Sequence, residues 1–274
     1  DDLTGRLPEG LVDMHDGEAL EDDVFSAHAY LGARPIAAAL EAGAEVVLTG
    51  RCADSALALG PLMHHFGWGA GDFDLLSSGS LAGHLIECGQ QGTGGLHTDW
   101  RAIESFEDLG YPIVECHADG TFVLTKPEGT GGLVNRATAA EQLVYEIGDP
   151  RAYVLPDVVC DWAHVELAEV GPNRVRVTGA RGRAPTPTLK VSALRVDGFR
   201  STYLMSIGGR DATARALRLG ADARRRADRV LAALGAGPLT DWHVEVLGAE
   251  SSYGPHARTS HTREVVLNLG MAQP

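Results

Sequence analysis

A mostly parallel three-layer αβα domain, followed by a smaller α+β domain with antiparallel strands, is the α/β architecture this sequence predicts. Three observations carry that expectation. Short β-branched runs alternate with helical periodicity through residues 1–150, as β-α-β units do. Beyond Gly148-Asp149-Pro150 the text becomes a series of short strands broken by turn residues, which suits antiparallel pairing. A long amphipathic helix, about residues 211–234, then gives those strands a layer to pack on. The expected domains are 1–150 and 151–274, and 274 residues suffice for two cores.

Composition narrows the function classes. The chain is 44% hydrophobic and 22% charged, with no apolar run near membrane-spanning length. A net charge of −14 opposes non-specific attraction to nucleic acid or to an anionic membrane, so neither is an expected partner. Cys52, Cys88, Cys116 and Cys160 lie far apart without a CxxC pair, which indicates neither a disulfide framework nor a zinc knuckle. No signal peptide opens the chain, and a cytoplasmic setting is expected. Asp1-Asp2-Leu3-Thr4 reads like the interior of a domain, so residues are expected to be missing upstream.

Taken in order, residues 1–22 are acidic and suggest surface loops with a short helix. A strand is expected at 24–27, then a loop through His28-Ala29-Tyr30, then a helix starting near Pro35 with Ile36, Ala39 and Leu40 at helical spacing. Residues 45–49 (EVVLT) read as a strand ending in Gly50-Arg51, and Asp54 opens a helix carrying Leu57, Leu59, Leu62 and Met63. In an open parallel sheet, ligands bind at the carboxyl ends of strands, where a helix N-terminus adds its positive dipole end. That would put Arg51 and Asp54 where chemistry sits; alternatively Asp54 only caps the helix and Arg51 pairs with it. His64 and His65 suit the negative end of the same helix, or form a metal-binding pair.

Residues 80–91 (SLAGHLIECGQQ) are helical by pattern, with His84, Glu87, Cys88 and Gln91 on one face. Glu87, with His84 or Cys88 beside it, reads as a general acid/base over a pocket floored by Gly92-Thr93-Gly94-Gly95. The competing reading is a solvated His84–Glu87 pair with Cys88 in the core. A hairpin of 111–116 and 122–125 around Asp119-Gly120 delivers Lys126 to a strand end. There the lysine can face a ligand anion, pair with a protein carboxylate, or serve as a base. Gly129-Thr130-Gly131-Gly132 repeats the earlier loop word. Glycines at positive φ let successive N–H groups point at a ligand, although a plain strand-to-helix turn uses the same residues. The pattern is neither a Walker loop nor a dinucleotide fingerprint. Thr138 and Glu141 fit a capping box for a helix that Gly148 and Pro150 stop.

In the second half, strands are expected at 153–155, 158–160, 165–167, 175–177, 189–194, 202–207 and 242–247, with 262–269 a strand or a helix. The basic linker 181–188 either reaches the first domain's pocket or forms an exposed crossover. Arginines on the long helix form a solvated face or an oligomer contact.

Four sequence words point to a family when read together: His28-Ala29-Tyr30-Leu31-Gly32-Ala33, Thr49-Gly50-Arg51-Cys52-Ala53-Asp54-Ser55-Ala56-Leu57, Ala82-Gly83-His84-Leu85-Ile86-Glu87-Cys88-Gly89 and Lys126-Pro127-Glu128-Gly129-Thr130-Gly131-Gly132-Leu133-Val134-Asn135. With Tyr145-Glu146-Ile147-Gly148-Asp149-Pro150 and Gly179-Ala180-Arg181-Gly182, they make the chain resemble the acyclic terpene utilisation AtuA family over most of residues 1–210. The family's namesake belongs to citronellol and geraniol breakdown through branched acyl-CoA thioesters. The resemblance therefore implies a hydratase- or lyase-type step on an acyl-CoA thioester or related carboxylate, by acid/base chemistry. It also implies a further N-terminal α/β segment, absent here, that a partner could supply. His28 stands where the family more often has asparagine, and it is given no catalytic role.

The combined expectation makes Asp54, Glu87 and Lys126 catalytic. Arg51, Thr93, Gly94, Gly95, Thr130, Gly131, Gly132 and Asn135 are expected to bind substrate. The ligand is a small thioester or carboxylate, the chain a homo-oligomer, and no cofactor is expected. Two alternatives stand beside this: a non-catalytic ligand- or partner-binding subunit of the same pathway, and a metal-dependent lyase using a divalent ion at His84, Glu87 and His97.

Overall fold

The computed structural model describes residues 2–274, apart from 4, 6, 8, 21–23 and 260. It divides into two compact units, Asp1–Leu194 and Arg195–Pro274, a division that lies C-terminal of the composition shift at Pro150. The chain runs β1 (Val24–Ala29), α1 (Arg34–Glu41), α2 (Ala56–Phe66), α3 (Phe73–Glu87), β2 (Ile113–Cys116), β3 (Phe122–Thr125), α4 (Arg136–Val144), β4 (Tyr153–Val154), β5 (Val159–Asp161), β6 (Glu166–Gly171), β7 (Arg174–Thr178), β8 (Arg181–Arg183) and β9 (Val191–Arg195). The second unit holds β10 (Phe199–Gly208), α5 (Ala212–Leu234), β11 (Asp241–Leu247) and β12 (Glu264–Gln273).

The sheets correct the expected three-layer parallel core. The four-stranded sheet β2-β3-β7-β6 and the three-stranded sheet β4-β5-β8 are antiparallel throughout. Residues 45–49, expected as a parallel strand, form none. Val46 and Leu48 are 78% and 93% exposed there, because a short apolar run becomes a strand only where a neighbour takes its N–H and C=O groups. Parallel pairing is seen at the single bridges Leu31–Cys52 and Leu109–Gly131. Tight connections explain the rest. Residues 117–121 close β2 onto β3, with Thr121 donating from its N–H to Asp119 Oδ1 at 3.0 Å and Gly120 at φ +83°.

The first core gathers Leu59, Met63 and Trp68 around α2, Leu76, Leu81 and Leu85 from α3, and Phe122, Leu124, Val175 and Val177 from the four-stranded sheet. α3 begins seven residues before the expected Ser80, and small residues let it lie close to α2. A Cβ on Gly79 would meet Leu59 Cδ1 at 2.7 Å, and one on Gly83 would meet the Ser55 backbone at 2.7 Å. Of the basic linker, residues 181–183 are β8. Arg181 pairs with Asp74 at 3.1 Å and Gly182 donates its N–H to the same carboxylate at 2.9 Å, so this stretch is fixed at the start of α3. In the second unit α5 covers one face of the antiparallel sheet β10-β12-β11 around Ala212, Ala216, Val246, Val265, Leu267 and Leu269. No helix among the described residues is long and apolar enough to cross a membrane.

Candidate functional site

The close approach at Gly83 puts the last turn of α3 beside the residues that lead into α2. The result is an open cleft of about 600 Å³ lined by Asp54, Leu57 and Ala58 on one side and Gly83, Ile86, Glu87 and Cys88 on the other, with Tyr145 and Glu146 at the end of α4 completing it. Three carboxylates therefore share one wall-to-wall space. Their field acts on the other acids present. The Cys88 thiol is raised above its usual range, first by burial and then by the Glu87, Glu146 and Asp54 charges, against a lowering hydrogen bond with Gln142. The Tyr145 phenol is raised by its hydrogen bond to Glu146 and by that group's charge. Behind the cleft, Tyr153 is pushed up to about 12, first by burial and then by Glu87. A thiol held protonated is a poor nucleophile, which counts against thiolate attack by Cys88 in this cleft.

Beneath Glu87 sits His84, 1% exposed. Its Nδ1 bonds Glu87 Oε1 at 2.9 Å, and its ring rests against Trp162 and Tyr153 at centroid distances of 5.3 and 6.1 Å. His84 Nε2 is buried without a hydrogen-bond partner among the described residues. Gln142 on α4 donates from Nε2 to the His84 carbonyl at 3.0 Å, tying α4 to α3 directly behind the cleft. Glu146 adopts φ +58°, a left-handed conformation rare outside glycine, and this turns the chain sharply at the cleft's edge.

A shallow apolar trough of about 610 Å³ adjoins the cleft. Leu40, Pro61, Leu62, Phe66 and Val114 line it together with His64, His65 and Cys116, and Ala58 belongs to both linings. Pro61 lies inside α2 and brings no N–H to the Leu57 carbonyl one turn back. Leu57, itself a cleft residue, thus keeps a carbonyl without its helical donor.

The remaining sequence-predicted residues lie elsewhere. Lys126 donates from Nζ to the Thr130 carbonyl at 2.5 Å, closing its own loop. The Arg51 guanidinium lies 5.4 Å from the centre of the Tyr30 ring, and neither cation lines the cleft.

The two glycine loops do not present the expected row of N–H donors, because protein carbonyls already take them. Gly94 donates to Gln91, Gly95 to Gln90, Gly131 to Asp108 and Gly132 to Ser105, at 3.1, 2.9, 2.6 and 3.3 Å. Leu133 donates to the Thr93 carbonyl at 2.9 Å, so each loop packs on the other. The Thr93 hydroxyl is likewise turned inward, to the Gly110 carbonyl at 2.6 Å. The Thr130 hydroxyl donates to the Pro127 carbonyl at 2.7 Å.

Asn135 caps α4. Its Oδ1 accepts the Thr138 N–H at 2.9 Å while Thr138 Oγ1 accepts the Asn135 N–H at 3.0 Å, so the capping box lies one turn earlier than the expected Thr138–Glu141 pair. Glu141 instead takes His97 Nδ1 at 2.7 Å. His97 is thus paired with Glu141 on α4 rather than with Glu87. Among the described residues no group of three or more His, Cys, Asp or Glu side chains could hold a metal ion.

A family model described as acyclic terpene utilisation family protein AtuA matches residues 1–274. The chain belongs to the AtuA family. Neither a curated protein nor a solved structure matches it. Within this AtuA-family chain, Tyr145 and Glu146 are the cleft residues that reasoning from residue chemistry left without a role. Their only sequence signal is the family word that begins at Tyr145.

Proposed function

We propose that the Asp54–Glu87–Glu146 cleft performs acid/base chemistry of hydratase or lyase type on the acyl end of a branched, terpene-derived thioester or related carboxylate. The observation that carries this reading is Glu87, open to the cleft and held from below by buried His84. His84 fixes Oε1, and Oε2 is the oxygen left to exchange a proton. Addition of water to an unsaturated acyl group needs two proton-transfer positions. One takes a proton from water as its oxygen bonds to the β-carbon, and the other returns a proton to the α-carbon. Asp54 and Glu87, on facing walls, supply the two. The branched hydrocarbon lies in the trough along α2, whose apolar lining meets the cleft at Ala58. Three carboxylates repel a phosphate, so any nucleotide carrier of the thioester stays outside the cleft.

Thermal unfolding with a panel of branched acyl-CoA thioesters and free acids tests the substrate class. A ligand at a hundredfold excess over its Kd adds about 2.7 kcal/mol to native stability. Glu87→Gln should lower kcat about 100-fold or more while this stabilisation persists. Equal loss of turnover and of ligand stabilisation would remove Glu87 from proton transfer. A second reading, a partner-binding subunit without its own activity, draws on the exposed Val46 and Leu48. Measurable turnover by the protein alone would exclude it, and stabilisation by none of the ligands would favour it.

A further inference from the structure

The second unit ends its sheet in two unlike edges. β11 carries Asp241, His243 and Glu245 along its seven residues, the charge pattern that protects a free edge. β10 is ten residues long and pairs with β12 in unbroken register from Phe199 to Gly208. Arg200 is its only charged residue, and it contains neither proline nor a bulge. Phe199 and Leu204 on this edge are 80% and 62% exposed, and Tyr203 is half exposed.

The helix beside that edge is equally unfinished. Ala212, Ala216 and Gly220 are buried, yet from residue 221 to the end of α5 no residue is. An apolar stripe of Leu219, Ala223, Ala227, Val230 and Leu231 instead lines two grooves, about 370 and 260 Å³, that it shares with β10. A helix gains most of its stability from packing an amphipathic face, so half of α5 awaits a partner.

We propose that a second copy of this chain covers both features, with β10 pairing antiparallel to β10 across a two-fold axis and the α5 stripes meeting beside it. Strand edge and helix stripe lie side by side, so an occupant must bring a strand and a helix at the same offset. The unit itself has that arrangement, whereas an isolated peptide strand would leave the stripe open. Antiparallel self-pairing also sets no like charges opposite one another, because Arg200 near one end meets the uncharged far end of the other β10. A strand of this length spans about 34 Å, and a helix over a sheet makes a face about 15 Å deep. That is about 500 Å² a side, which reaches the roughly 1,000 Å² total of a specific interface.

Sedimentation of the full chain at tens of micromolar tests this. The expected result is twice the chain mass of 28.9 kDa, with dimer affinity weakened about thirtyfold or more by Leu204→Lys. Val230→Arg, on the helix, should do the same, and Leu247→Lys on the β11 edge should leave the dimer intact. Far-ultraviolet circular dichroism identifies variants that keep the fold, and two independent sites guard against a folding defect in either. A monomeric parent, an open-ended assembly, or a dimer indifferent to both Leu204→Lys and Val230→Arg would overturn the proposal.

Discussion

The paired glycine loops and the end of α3 lie in the same unit and use their polar groups in opposite ways. In the loops, Gly94, Gly95, Gly131 and Gly132 spend their N–H groups on protein carbonyls, and Leu133 stitches one loop to the other. Around the end of α3, Asp54, Glu87 and Glu146 line an open cleft, and buried His84 bonds Glu87 from behind. Glycine-rich sequence marks close backbone approach, but the approaching backbone can be the protein's own. An acidic helix end looks like ordinary solvated surface until a glycine one turn earlier draws a second helix start against it. The loops are thus a source of stability, and the cleft is where the proposed chemistry would take place.

Substitution can break that contrast, beginning with its largest effect. Gly132 lies at φ +87°, and a Cβ there would come 2.8 Å from the Thr93 carbonyl. Gly132→Ala should therefore cost about 3 kcal/mol of stability by chemical denaturation, with ligand-induced stabilisation retained in the folded fraction. Unchanged stability with loss of ligand response would reverse the comparison and make the loops a ligand cradle. Asn135→Ala removes the side-chain acceptor of the α4 cap and should cost about 1 kcal/mol, again without changing the ligand response.

The smallest effect probes the cleft. A raised thiol pKa leaves less thiolate at any given pH below it, so Cys88 should alkylate more slowly at pH 8 than a free cysteine. Peptide mapping should show that rate rising in Glu87→Gln, since one of the charges opposing the thiolate is gone. An unchanged rate would mean that the Glu87 charge does not act on Cys88 and would weaken the case for a negative cleft.

Legibility followed the range of the interactions involved. The expected helix at 211–234 is observed as α5, Ala212–Leu234, because its apolar stripe repeats over many turns. The hairpin around Asp119-Gly120 is equally local, and it formed where expected. Residues 45–49 misled because strand propensity says nothing about whether a neighbour is present. The capping box misled by one turn because Asn135 and Thr138 satisfy the local rule as well as Thr138 and Glu141 do, and a contact from His97, 44 residues away, claims Glu141. Asp54 and Glu87 could be named from residue type and helix position. Tyr145 and Glu146 could not, since they join the cleft only through the left-handed turn at Glu146 and the anchoring of α4 on α3 by Gln142.

The short helix α4 has one further consequence. Asn135 fixes where it starts, Glu141 and Gln142 grip two distant parts of the chain midway, and Tyr145 and Glu146 follow directly after its last residue. It works as a measuring rod between the cap and the cleft. Each helical residue adds about 1.5 Å of length and about 100° of rotation. Inserting or deleting a single residue within α4 would swing Gln142 off the His84 carbonyl and carry the tyrosine–glutamate pair around the axis, away from the other two carboxylates. Its length is therefore a fixed dimension of the cleft, even though most of its residues never face it.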